Sequence, residues 1–248
     1  SAPRFVALLS DSSARVRFFA AQALGKVKAA NATPALIEAL RANNDTDPYL
    51  RHALVMALVE NATSEQLAAL ARHEAGAVRL AAVLALRRQQ SPLITAFLTD
   101  TDAMIARETA LAINDAPIPA AYPALAGRLG QSSDEAVQLR ALNAHFRLGT
   151  AENAAALANF AASPAQAELR KEALALLTLW PAPPARDHIV GDFLPLDSKT
   201  RPTESVVQAL LPKLGGILTA HTPDVVQVAA IEAVHSLKLT QTGPMLGT

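Results

Sequence analysis

From Asp11 to Gly25 the chain reads DSSARVRFFAAQALG, and its apolar and small residues recur at helical spacing. Val16, Ala20, Ala23 and Leu24 share one helical face, Arg17 stands beside Val16, and Asp11 lies six residues ahead of Arg17 in the polar turn that precedes the helix. The same skeleton returns. Leu50, Arg51, Leu54, Ala57 and Leu58 match it without a gap, as do Val78, Arg79, Ala82, Ala85 and Leu86, and then Leu169, Arg170, Ala173, Leu176 and Leu177. Val226, Gln227, Ala230, Ala233 and Val234 match with Gln in place of Arg. Between these the pattern loosens: Ile105, Ala112 and Ile113 hold register while Arg107 comes one residue late, and a copy placed on Leu139 and Arg140 needs a one-residue slip to align Ala144.

A shorter apolar segment precedes each copy, so the pattern predicts about seven antiparallel helix pairs. Their first members are 3–10, 33–42, 64–73, 92–98, 120–129, 151–162 and 204–218; their second members are 12–28, 49–60, 77–88, 103–114, 134–148, 164–179 and 223–237. One pair cannot bury its apolar face without neighbours, and the expected architecture is an all-α, right-handed α/α superhelix over 1–248 as a single domain. Thr33-Pro34, Asp47-Pro48, Ser91-Pro92, Ser163-Pro164 and Thr222-Pro223 each place a capping side chain before a proline suited to the first helical position. Ser132 with Glu135 has the spacing of a capping box. The regular spacing fails once, at an irregular insert of about 181–202, PAPPARDHIVGDFLPLDSKTRP, before the last pair.

Composition narrows the function. Lys plus Arg equals Asp plus Glu at 22 each, which leaves no net field to draw in nucleic acid or an anionic membrane surface. No apolar run suits a membrane span. Without cysteine there is no disulfide, thiolate metal site or thiol nucleophile, and the redox compartment stays open. The opening on Ser1 suggests an excised piece.

A polar turn with Asp, then Val-Arg, then small residues and Leu at helical spacing resembles the HEAT repeat, in a short bacterial form similar to the repeats of phycobilin-lyase-type proteins. That resemblance implies a ladder of Asp–Arg bonds between stacked repeats, carried here by Asp11 with Arg17, Asp45 with Arg51 and Asp134 with Arg140. The other copies depart from it, since His73 precedes Arg79, Pro164 precedes Arg170, Ala106 follows Asp100 and Gln227 follows His221. RVRFFAAQALG and DSKTRP also resemble the HEAT region of large exported bacterial proteins with a β-propeller ahead and a c-type cytochrome behind. This implies a periplasmic or cell-surface domain of a larger protein; the haem chemistry would lie outside this chain.

Candidate chemistry is sparse. The arginine series reads as structural, with Arg51 a partly buried ladder donor, and the lone His73-Glu74 reads as a surface dipeptide. Asp187, His188 and Asp192 have side chains that suit a divalent metal, although the expectation for cofactor and metal is none. The favoured interaction surface is the insert: Trp180, Ile189, Val190, Phe193 and Leu194 as apolar anchors, with Asp187, Asp192, Asp197, Lys199 and Arg201 at the rim and His188 among them. The expected function is a non-catalytic scaffold that binds a protein or a neighbouring domain of its parent, without nucleic acid or membrane insertion. The alternative is an enzyme on a HEAT-like scaffold, DNA glycosylase-like or metal-dependent, which the zero net charge and the lack of a catalytic constellation disfavour.

Overall fold

A computed structural model of the chain describes residues 2–239. The protein is all-α: fourteen helices and no strand occur among the described residues. None of these helices is long and apolar enough to cross a membrane. Two compact units form, one up to Ala121 and one from Tyr122.

The first unit holds α1 (Ala2–Leu8), α2 (Ala14–Val27), α3 (Thr33–Asn43), α4 (Pro48–Asn61), α5 (Ser64–Ala69), α6 (Gly76–Arg88) and α7 (Ala103–Asp115). The first member of its fourth pair is a 3-10 helix, Pro92–Phe97. Consecutive second helices pack on one another, α2 on α4, α4 on α6 and α6 on α7. Small residues permit the approach: a Cβ added to Gly25 would stand 3.3 Å from the Ala57 Cα. The second unit holds α8 (Tyr122–Ala126), α9 (Glu135–Leu148), α10 (Ala151–Ala161), α11 (Ala167–Leu179), α12 (Thr203–Leu210), α13 (Leu214–Ile217) and α14 (Asp224–Ser236). Its core runs from Leu142 and Phe146 through Leu157, Leu174, Leu177 and Trp180 to Val206, Val226 and Ala230.

Caps explain where several helices start. Asp47 accepts from the Tyr49 and Leu50 amides, and Ser91 from that of Leu93. Other caps lie elsewhere than expected. Thr33 is inside α3 and donates to the Asn61 carbonyl at 3.1 Å. Helices α11 and α14 begin after Gln166 and Pro223, so Ser163 and Thr222 cap neither. Asp134, not Ser132, caps α9 by accepting from the Val137 amide, and the capping box present is Thr63 with Gln66.

The helix starts also correct the repeat register. Counting from each first residue, the fourth position of the second helices is Arg17, Arg51, Arg79, Ala106, Gln138, Arg170 and Gln227. In the fifth copy Val137, Gln138, Ala141 and Ala144 therefore hold the pattern, with Val137, Ala141 and Ala144 buried, and no slip towards Arg140 is needed. Four of these side chains donate to a carbonyl in the preceding turn: Arg17 to Asp11 at 2.8 Å, Arg79 to His73 at 2.8 Å, Gln138 to Ser132 at 2.7 Å and Gln227 to Thr222 at 2.7 Å.

The expected Asp ladder is thus mostly a carbonyl contact. Arg51 pairs with Asp45 inside its own turn, not between repeats, and Asp134 caps α9 while Arg140 reaches the Ala136 carbonyl. Among the described residues one Asp–Arg pair does link repeats: Arg79 holds Asp100 through Nε and Nη2, at 2.8 and 3.1 Å, with the side chains only 12% and 2% exposed. Arg79→Ala leaves a buried carboxylate unpaired and should cost about 2–4 kcal/mol in urea unfolding. Arg51→Ala, at a more exposed pair, should cost below about 1 kcal/mol. Equal losses for the two variants would refute this ranking.

Candidate functional site

The insert begins where α11 stops at Leu179, because the prolines at 181, 183 and 184 cannot continue the helix. Trp180 is fully buried, edge-on to Phe146 with ring centres 6.0 Å apart. The chain then folds into a small hairpin. The Leu194 amide donates to the Ala185 carbonyl at 3.0 Å, the Asp187 amide to Asp192 at 2.8 Å and the Gly191 amide to Asp187 at 2.9 Å. Gly191 closes the turn with φ +76°, a conformation that favours glycine.

Asp187 pins this hairpin to the helical core. Its Oδ1 accepts from the amides of Ile189 and Val190 at 3.0 and 3.1 Å, and its Oδ2 accepts from Asn143 Nδ2 at 2.9 Å and Arg147 Nη1 at 2.8 Å. Burial by itself raises the pKa of this carboxyl; the four donors outweigh it and hold the pKa below the ordinary value. Arg147 is fixed in turn by the Tyr122 hydroxyl, 3.1 Å from Nε.

The far side of the insert is pinned by Arg201. Asp197 accepts from the Lys199 amide and sets a 3-10 turn, Ser198–Thr200, that turns the chain inward. The Arg201 guanidinium lies over the rings of both Phe146 and Trp180, 4.9 Å from each centre. Its Nη2 donates to the carbonyls of Phe146 and Arg147, two last-turn acceptors of α9 that have no helical partner. Burial, with a smaller contribution from the nearby charge of Arg147, pushes its pKa down to about 10. A Cβ on Gly149, which ends α9 with φ +73°, would stand 2.7 Å from Arg201 Nη2.

The side chains expected at the insert therefore fall into two layers. Asp187 and Arg201, expected at a rim, are buried because their partners are helix groups beneath the loop. Phe193, expected as an anchor, is 69% exposed on the hairpin. Asp192, Asp197 and Lys199 are exposed, and Ile189, Val190 and Leu194 are half-buried. His188 Nε2 lies 2.9 Å from Glu172 Oε1 on α11. As metal ligands the trio of Asp187, His188 and Asp192 does not converge: both Asp187 oxygens already hold donors and His188 faces Glu172. Among the described residues no three His, Asp or Glu side chains group as a metal site. Sequence reasoning missed Asn143, Phe146 and Arg147, which read as ordinary helix positions; Gly149 just after the helix was the available hint.

Comparison with known proteins supports the reading of the first two helix pairs. Residues 1–59 match the family model of HEAT repeats. This HEAT-repeat match takes in α1 to α3 and most of α4. No curated protein matches the sequence. Among solved structures, an engineered protein is 20% identical, with 95% of this chain and 68% of that chain covered at a TM-score of 0.45. The complex of CpcE and CpcF of phycocyanin lyase from Nostoc sp. PCC7120 is 19% identical, with 96% and 94% covered and a TM-score of 0.38. A designed armadillo repeat protein is 19% identical, with 96% and 100% covered and a TM-score of 0.39.

Two outcomes test this geometry. Gly149→Ala combines a positive φ with a clash against Arg201 and should destabilise the protein by roughly 1–3 kcal/mol, read as a lowered unfolding midpoint. No shift would show that Arg201 can leave its slot freely. The hydrogen bond from His188 to Glu172 raises the His188 pKa, outweighing burial, which lowers it. A raised pKa in the folded state means that this contribution is full below the unfolded value of about 6.5 and fades as pH rises through the folded value. Proteolysis within 185–194 should thus quicken from acidic to mildly alkaline pH, and His188→Gln should flatten that dependence. A rate with the opposite slope, after correction for protease activity, would refute it.

Proposed function

We propose that this protein is a non-catalytic scaffold, a domain of a larger multidomain protein, that binds another protein or a neighbouring domain through its hairpin insert. The observation that carries the reading is Phe193, 69% exposed on a hairpin held from below at Asp187 and Arg201. A large apolar ring left in water on a fixed backbone is what a partner's pocket can bury with little ordering cost. Arg186 stands opposite it across the hairpin and Asp192 precedes it, both exposed, and Asp197 and Lys199 further along the insert are exposed as well, a composition that suits a polar rim about an apolar centre. The resemblance of RVRFFAAQALG and DSKTRP to the helical region of exported multidomain proteins supports the larger-chain context. Helical-repeat arrays bind through extended surfaces and need no catalytic group to do so.

The test compares the wild type and Phe193→Ala as baits in an extract of the source organism, with quantitative mass spectrometry and a melting curve for each bait. The expected result is one or more proteins enriched by the wild type and lost by at least about tenfold with Phe193→Ala, as for a central aromatic contact, at unchanged melting temperature. Identical capture by the two baits would overturn the reading.

A further inference from the structure

The first unit carries a depression of about 580 Å³ between α4 and α6, lined by Arg51, His52, Val55, Leu84, Arg87 and Arg88 among others. No carboxylate is among its lining residues. Asp45 engages Arg51 through Nη1, whereas Arg87 and Arg88, exposed in the last turn of α6, have no ion-pair partner among the described residues. Basic residues there also complement the carbonyl end of α6. That role does not account for His52 on α4, which lines the same hollow beside Arg51, whose own charge Asp45 pairs.

We propose that this depression binds a short acidic segment of a partner protein, with carboxylates on the guanidiniums of Arg87 and Arg88 and an apolar side chain against Leu84 and Met56, which are half-buried in its wall. It goes beyond the hairpin reading and stands on different residues. Three features set the ligand class. Planar guanidiniums match carboxylates in paired geometry. The apolar wall has no use for a bare anion but suits a leucine-like side chain. No Phe, Tyr or Trp ring lines the hollow for a base to stack on, and the chain's zero net charge offers no long-range pull on a polyanion.

The test is fluorescence polarisation of the full chain with a fluorescein-labelled peptide of alternating glutamate and leucine, at low ionic strength. Saturable binding is expected, weakened at least about tenfold by Arg87→Glu with Arg88→Glu, at an unchanged melting temperature. A peptide with serine replacing each leucine should bind more weakly. Excess inorganic phosphate or a single-stranded oligonucleotide should not displace the probe. The proposal is overturned if the probe does not bind, if the double variant binds equally well, if the serine peptide is as tight, or if phosphate or oligonucleotide competes with it.

Discussion

A side-chain donor at the fourth position of the second helix, reaching back to the end of the first helix or the turn after it, is the contact on which six of the seven repeats depend. A turn between two packed helices leaves carbonyls near an apolar stack, and a carbonyl shielded from water without a donor is costly. Arg17, Arg79, Gln138 and Gln227 each supply that donor to their own turn. Neutral Gln serves as well as cationic Arg because the acceptor is backbone. Where the fourth position is Ala106, the turn is held differently: its Asp100 accepts from Arg79 of the preceding pair, and from the amide of Asp102. The one copy of the first unit without its own donor is thus the one joined to its neighbour by a shielded ion pair.

The insert obeys the same accounting. The last-turn carbonyls of α9 lack helical donors, and a residue more than fifty positions away, Arg201, satisfies two of them. Burying a guanidinium is expensive, and among the described residues no carboxylate pairs with this one; the faces of Phe146 and Trp180 take part of the charge instead. That slot and the four donors on Asp187 leave the hairpin between them little freedom. The exposed Phe193 is held in place by polar groups that the surface does not show.

Helix pairs were legible in the sequence because burial of one helical face repeats with a period that small and apolar residues cannot hide. The fifth copy misled because Leu139-Arg140 imitates the Val-Arg step, while Val137-Gln138 performs its function with a neutral donor. The insert was legible as an interruption but not as a structure. Asp187 and Arg201 looked like surface charges, since their partners Asn143, Arg147 and Phe146 lie 40 to 55 residues away and leave no local mark. Phe193 looked like an anchor for the converse reason: apolar character alone does not say which side of a loop faces the core.

Net charge speaks only to long range. A sum of zero describes the far field, and at close range only unpaired charges count, because paired ones are screened by their partners. In this protein most arginines with defined contacts are already committed: Arg17 to carbonyls, Arg79 to Asp100, Arg147 to Asp187, Arg170 to the Ala161 carbonyl and Arg201 to α9. The pair formed by Arg87 and Arg88 is left without such a commitment beside an apolar wall. A neutral chain can therefore present a cationic hollow without drawing polyanions from a distance, and recognition there must come from shape and contact.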